Sequence, residues 1–240
     1  MNAGQEEKPL RPRRSNKTLM YFSMQEQDLI QKTVIFVQET LKNSESGHNW
    51  FHIERVWKNA KHIGKTEHVN MLVVQLAALL HDIADSKFYD GDETIGPKMA
   101  RYFLAAENVD ESIIDHVVKI MENMSFRSGY DQLSFRSTEL QVVQDADRLD
   151  AIGAIGIARA FHFGGYKNRE IYDPAIPPDL NMSKEAYKKS TAPTINHFYE
   201  KLLLLKDKMN TASGKKMAEE RHIFMEKYLQ QFYTEWNGEA

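Results

Sequence analysis

One dipeptide, His81–Asp82, stands where a strongly apolar segment ends, and its side chains are suited to binding a metal ion. An imidazole and a carboxylate are both common ligands of first-row divalent cations. Two ligands alone hold an ion weakly, so a metal site would need side chains from other parts of the chain. Because the chain has no cysteine, those ligands must be imidazoles or carboxylates.

Two further residues are candidates to complete such a site. His52 lies among apolar residues, and Arg55 follows it by three positions, which places both on one side of a helix. A basic group beside a metal ligand suits the binding of a phosphate, although a single histidine is more often a surface or core residue. Asp147 is the second candidate, within a segment that carries three aspartates.

Helical geometry separates these three aspartates. Neighbouring positions on an α-helix differ by about 100°, so Asp147 and Asp150 share a face, whereas Asp145 points elsewhere. A buried, unpaired carboxylate is costly, and the simplest interpretation of Asp145 is a solvated face on which it pairs with Arg148. Only one or two of the three aspartates can therefore face the same site.

Together these residues resemble the H…HD…D signature of the HD superfamily of metal-dependent phosphohydrolases. The resemblance rests on His52–Val56, Ala77–Lys87 and Asp145–Gly153. It extends over residues 25–236 and is strongest to small stand-alone bacterial hydrolases, which carry a C-terminal helical segment similar to residues 194–203. It implies an all-helical fold, a divalent metal ion and hydrolysis of phosphate esters or anhydrides, often of nucleotides.

The resemblance also implies the ligand set, which is His52, His81, Asp82 and Asp147. It implies one ion rather than two, since His116 is the sole histidine between the dipeptide and Asp147 and lies outside the motif of two-metal members. These ligands do not distinguish Mn, Co, Ni, Mg, Zn and Fe, among which we favour Mn.

Other residues receive supporting roles. Asp85 is expected to orient water or transfer a proton, with a hydrogen-bonding role in its loop as the alternative. Asp150 is expected to hydrogen-bond a metal-ligating histidine. Lys87 is a further candidate for a catalytic role. Three basic residues are candidate phosphate ligands, and each is otherwise an ordinary surface cation: Arg55, Lys87 and Arg127.

The elements that must position these side chains are helices. Apolar residues recur at three-to-four spacing, and residues 71–80 are apolar nearly all round, which predicts a central helix. No segment alternates as a strand would. The prediction is an all-α fold, an HD-domain helical bundle with additional C-terminal helices. The predicted helices cover residues 24–42, 49–68, 70–84, 94–108, 110–124, 138–149, a segment ending near 163, 193–208 and 213–236.

We expect residues 1–22 to be a disordered leader and residues 23–240 to form a single domain. In that domain, residues 165–240 would be a loop and a helical extension packed on the rest. The irregular segment 164–182 and the loop around Arg127 are expected to border the cleft. Several residues there could stack on a base or line the cleft, with simple packing as the alternative: Phe126, Phe163, Tyr166, Tyr172, His162 and His197.

Composition argues against several classes of function. The net charge is −3, so a protein that coats nucleic-acid phosphates is disfavoured. No apolar run reaches the length of a membrane span, and the polar, basic N-terminus is not a secretory signal. We therefore expect a cytoplasmic protein that binds a small phosphate compound, and the sequence is compatible with a homodimer.

The favoured function is a divalent-metal-dependent phosphohydrolase acting on a nucleotide or a related small phosphate ester or anhydride. Nucleoside triphosphate pyrophosphohydrolysis is one candidate reaction, and nucleotidase and phosphodiesterase activities remain open. A non-catalytic metal- or nucleotide-binding sensor is the alternative class, against which the intact ligand set argues.

Overall fold

A computed structural model describes residues 16–42, 49–84, 92–124 and 135–239 of the chain. These residues form helices and connections without any strand, which confirms the all-α prediction for the described ranges. No helix in these ranges has both the length and the apolarity that crossing a membrane requires. The helices are α1 (Asn16–Thr40), α2 (Trp50–Gly64), α3 (Met71–Leu80), α4 (Ile95–Ala106), α5 (Glu111–Glu122), α6 (Thr138–Asp150), α7 (Gly153–Tyr166), α8 (Lys184–Lys189), α9 (Asn196–Glu200), a 3₁₀ helix (Leu202–Lys208) and α10 (Ala212–Trp236).

Helix α3 is central because it is apolar on nearly every side. Seven of its ten residues are buried, and it packs against α1, α2, α5 and α6. Asn70 begins the helix, since its side chain accepts hydrogen bonds from the backbone N–H groups of Leu72 and Val73. The residue that follows α3, His81, is thereby placed between neighbouring helices.

Helices α2 and α6 pack along each other through apolar faces. Ile53 and Val56 of α2 are fully buried, as are Val143 and Leu149 of α6. Ser137 begins α6 by accepting a hydrogen bond from a backbone N–H in the first turn. This packing brings the polar end of each helix to the same side of the core.

The observed helices depart from the predicted ones in several places. Helices α2 and α3 end at Gly64 and Leu80, four residues before their predicted ends. Helix α1 begins at Asn16, inside the segment expected to be a leader, because an established helix extends at the gain of one hydrogen bond per residue. The predicted helix 193–208 is broken at Lys201, whose backbone dihedrals of −144° and −57° separate α9 from the 3₁₀ helix. Helix α8 was not predicted, because six residues are too few to show a periodic pattern.

Asp145 attaches the C-terminal helices to α6. Its carboxylate is fully buried and accepts hydrogen bonds from the backbone N–H groups of Asn210 and Thr211 at 2.8 and 2.7 Å. The Thr211 hydroxyl donates to it as well, at 2.8 Å. The pairing with Arg148 is confirmed at 3.2 Å, but the prediction of a solvated face is wrong, because the extension covers that face.

We expect Asp145→Ala to lower the free energy of unfolding by about 3–5 kcal/mol, since it leaves a buried arginine and several donors without their partner. Urea denaturation measures the loss. The matched control is Asp207→Ala, an exposed aspartate of the 3₁₀ helix, which should have little effect. Equal stabilities of the two variants would show that Asp145 does not hold the extension.

Candidate metal centre

Three elements bring His52, His81 and Asp147 together. Each offers one ligand-type atom, and these atoms lie within 4.8 Å of one another. Asp147 Oδ1 is 3.5 Å from His52 Nε2 and 3.9 Å from His81 Nε2. His52 lies in the first turn of α2, His81 follows α3, and Asp147 lies in the last turn of α6. In the described part of the chain, no other cluster of histidines and carboxylates meets this criterion.

The second nitrogen of each imidazole is bound elsewhere. His52 Nδ1 lies 2.8 Å from Asp150 Oδ2, and His81 Nδ1 lies 2.9 Å from the carbonyl oxygen of Ala78. A carbonyl and an ionised carboxylate only accept hydrogen bonds, so both Nδ1 atoms must carry the proton. In the neutral rings, the Nε2 lone pairs are then left to face the point that they share with Asp147.

The donor set fits a divalent metal ion. Two nitrogen lone pairs and a carboxylate oxygen repel one another at these distances unless positive charge lies between them. Two imidazoles and a carboxylate are the ligands that first-row divalent ions prefer, and protonated Nδ1 atoms held by acceptors are typical around such sites. The side chain of His52 is only 5% exposed, whereas that of Asp147 is 42% exposed, so the candidate site opens to solvent beside Asp147.

Asp150 is the buried acceptor behind His52. It is 1% exposed and accepts hydrogen bonds from His52, from Arg55 and from Arg159. Burial alone would raise the pKa of its carboxyl, but the hydrogen bonds from His52 and Arg55 and the charge of Arg159 outweigh burial and hold that pKa far below its ordinary value. The carboxylate therefore stays ionised and fixes the His52 ring.

Similarity to known proteins identifies the family. The model of the HD domain family matches residues 49–152. YpgQ of Bacillus subtilis is 39% identical over 206 residues, which is 85% of this chain and 91% of YpgQ. The chain belongs to the HD superfamily.

Solved structures of HD proteins extend the likeness to the C-terminal helices. An HD-superfamily hydrolase from Bacillus thuringiensis is 44% identical, with a TM-score of 0.73 over 88% of this chain and 98% of that one. The crystal structure of Bacillus subtilis YpgQ in complex with ADP is 35% identical, with a TM-score of 0.70 over 88% of this chain and 96% of that one. The helices beyond residue 152 therefore belong to the shared fold.

The other predicted site residues lie beside the group of three or outside the described ranges. Asp82 follows His81 but is outside the group of three, and its role as the fourth ligand stays a prediction. Arg55 lies beside the site and donates to Asp150 at 2.9 Å. Four predicted residues lie outside the described ranges: Asp85, Lys87, Phe126 and Arg127.

Several histidines and aromatic residues considered in the sequence analysis have contacts outside the group of three or are exposed. His116 Nε2 lies 2.9 Å from the Ser137 hydroxyl, away from the group of three. Tyr172 packs edge-on against Tyr233 and Trp236, which favours the packing interpretation. Two aromatic side chains and one imidazole are exposed on α7: Phe163, Tyr166 and His162.

Two basic residues at this site were not predicted from the sequence, Arg159 and Lys201. Arg159 reaches Asp150 because α7 begins directly after α6. That turn requires glycine: Gly153 has a φ of +74°, and a Cβ on Gly156 would lie 2.2 Å from the Ala151 carbonyl oxygen. The two glycines after Asp150 were the signal for this return of the chain. Lys201 had no comparable signal.

The Tyr187–His197 pair lies beside Lys201. Burial, with the charges of Lys201 and Arg169, lowers the pKa of His197 to about 4. Burial, with the charge of Glu200, raises the pKa of Tyr187 to about 12. The tyrosine hydroxyl therefore donates to Nδ1 of a neutral imidazole.

We expect Asp150→Asn to weaken metal binding by about 10–100-fold, because the amide no longer fixes the His52 ring as an ionised acceptor. Calorimetric titration with Mn²⁺ measures the affinity, and thermal unfolding shows whether the variant is folded. Glu122→Gln, at the exposed end of α5, is the control. An unchanged affinity in folded Asp150→Asn would remove Asp150 from the site.

The low pKa of His197 predicts a pH-dependent stability. With an ordinary pKa of about 6.5, the unfolded chain binds the proton first, so stability is lost as the pH falls from about 6.5 to about 4, by up to about 3 kcal/mol. His197→Gln keeps an acceptor for Tyr187 but does not titrate. Urea denaturation at pH 7 and pH 5 should therefore show a smaller loss in the variant than in the wild type. Equal losses would contradict a neutral, buried His197.

Proposed function

We propose that this protein is a divalent-metal-dependent phosphohydrolase acting on a nucleotide or a related small phosphate ester or anhydride. The observation that carries the proposal is the convergence of His52, His81 and Asp147 in a chain of the HD superfamily. The Bacillus thuringiensis relative is described as an HD-superfamily hydrolase, and YpgQ was crystallised with ADP, which supports a nucleotide as the ligand.

We assign the metal-binding and phosphate-binding roles in this reaction to different residues of the chain. His52, His81 and Asp147 would hold the ion, with Asp82 as the fourth ligand. When bound, a divalent ion lowers the pKa of a coordinated water and offsets charge on a phosphoryl group. Arg55 can bind a phosphoryl oxygen, since Asp150 fixes its guanidinium while 31% of the side chain stays exposed.

Three residues predicted from the sequence are proposed for the remaining steps. We propose that Asp85 orients the attacking water and accepts its proton, and that Lys87 and Arg127 bind phosphate oxygens. The attack would proceed in line with the leaving group, as phosphoryl transfer requires. Nucleoside triphosphate pyrophosphohydrolysis is the reaction that we favour, with nucleotidase and phosphodiesterase activities as alternatives for the same site.

A panel of substrates tests the function. We expect wild-type protein with Mn²⁺, Co²⁺, Ni²⁺, Mg²⁺ or Zn²⁺ to hydrolyse at least one nucleoside mono-, di- or triphosphate or phosphodiester. Asp147→Ala should lower kcat/KM by about a hundredfold or more, because it removes a ligand of the candidate metal centre. Phosphate, pyrophosphate and nucleoside release are measured separately, which also identifies the bond that is cleaved.

The controls separate the main alternatives. Glu122→Gln should keep wild-type activity, and Asp82→Ala tests the fourth ligand in the same assay. Full activity and metal content in Asp147→Ala would contradict the site. A protein that binds metal and nucleotide but hydrolyses no substrate of the panel would favour the non-catalytic sensor.

A further inference from the structure

Arg221 of α10 connects two helices that carry candidate metal ligands. Its Nη1 donates to the backbone carbonyl of Leu149 in the last turn of α6, and its Nη2 donates to the side-chain oxygen of Asn59 in α2, at 3.2 Å. Neither acceptor is a candidate ligand. One half-buried guanidinium from the C-terminal extension therefore bridges α2 and α6.

The two ends of this bridge lie close to the candidate ligands along each helix. Leu149 follows Asp147 by two residues, and Asn59 follows His52 by seven, which is two helical turns, so both side chains lie on the same side of α2. Asn59 Nδ2 also donates to the Ala146 carbonyl, at 3.4 Å. The polar contacts between α2 and α6 thus lie immediately before and just after Asp147 in the sequence of α6.

The end of α6 is a favourable place for a cation. The last carbonyls of a helix have no acceptor role within the helix, and this end carries a partial negative charge. Asp147 and Asp150 lie in this last turn, where the helix dipole disfavours further negative charge. Arg221 donates to the Leu149 carbonyl and interacts electrostatically with Asp150. Its positive charge therefore offsets both unfavourable terms.

Contacts on two sides hold Arg221 in place. A Cβ on Gly153 would lie 2.9 Å from Arg221 Cγ, so the turn after α6 closes directly on the arginine stem. At the start of α10, the hydroxyls of Ser213 and Thr66 lie 2.5 Å apart, just beyond the end of α2. Helix α10 is thus attached to α2 at two points along its length, and the guanidinium has little freedom to leave its acceptors.

The offset between α2 and α6 decides whether His52 and Asp147 can share an ion. Metal–ligand distances tolerate changes of only about 0.2 Å. The apolar contacts between the two helices are not directional, so they resist sliding less than hydrogen bonds do. The contacts of Asp150 with His52 and Arg55 fix the offset at one end of α2, and the Arg221 bridge fixes it two turns further along.

We propose that Arg221 is a positioning residue of the candidate metal centre, which holds α2 and α6 at the offset at which His52 and Asp147 bind one ion. The inference rests on the metal centre of the proposed function. It goes beyond that function because it makes a residue outside the HD domain match, residues 49–152, necessary for tight metal binding. Arg221 acts through Leu149 and Asn59.

Titration of the full chain with Mn²⁺ by calorimetry, without nucleotide, tests the inference. Arg221→Met keeps an apolar stem but removes both donors, and we expect Mn²⁺ to bind about tenfold more weakly, within the range for residues that orient ligands. Asn59→Ala should weaken binding about threefold, because the contact of Arg221 with Leu149 remains. The double variant should resemble Arg221→Met, since both substitutions break one bridge; losses that multiply would contradict that bridge.

Two further variants separate positioning from charge and from stability. Arg221→Lys keeps the charge but lacks the planar fork, so it should recover only part of the Mn²⁺ affinity, and full recovery would show that charge alone acts. Met225→Ala shortens a buried side chain one turn later in α10, so it should lower the midpoint of thermal unfolding and leave Mn²⁺ affinity unchanged. If Arg221→Met is unfolded, Arg221→Lys and Asn59→Ala carry the test.

The outcomes distinguish this inference from the proposed function. An unchanged Mn²⁺ affinity in folded Arg221→Met refutes the positioning role even where the wild type hydrolyses a nucleotide. An equal loss of affinity in Met225→Ala refutes it too, because the effect would then be one of stability. If the variants lose affinity as expected but no substrate is hydrolysed, the positioning role is supported and the hydrolase proposal fails. A wild type that binds no divalent ion overturns both.

Discussion

The candidate site depends on one buried carboxylate, Asp150. It is ionised although it is almost fully enclosed, because one imidazole and two guanidiniums donate to it. Ionisation makes it an acceptor only, and this sets the proton of His52 on Nδ1 and directs Nε2 towards Asp147. The same carboxylate orients Arg55 and Arg159. One carboxylate therefore orients a candidate metal ligand and two arginines.

Helix α6 connects this site to the rest of the fold through a second buried carboxylate. Asp145 and Asp150 point to different sides of the helix, and each is satisfied by a different part of the chain. Asp145 accepts from residues 210 and 211 and attaches the C-terminal helices. Because Lys201 lies between two of those helices, the extension contributes to the surroundings of a candidate site whose three residues come from the HD domain.

Much of the fold could be predicted from the sequence, because helical periodicity is a local property. The apolar circumference of α3 predicted its central place, and the three-to-four spacing of apolar residues predicted most of the other helices. Helix breaks and short helices could not be recognised from this periodicity. The division at Lys201 and helix α8 depend on contacts with distant residues, such as the pairing of Tyr187 with His197, which no local pattern contains.

The sequence by itself determined which residues could bind a metal, because the order of His52, His81–Asp82 and Asp147 carries the family signature and helical phase separates Asp147 from Asp145. Only the tertiary structure decided how the other charges are used. It buried Asp145 under the extension, and it brought Arg159 and Lys201 to the site by a glycine turn and a helix break. The physical reason is that the ionisation and partners of a buried charge depend on groups far away in sequence, which local spacing does not encode.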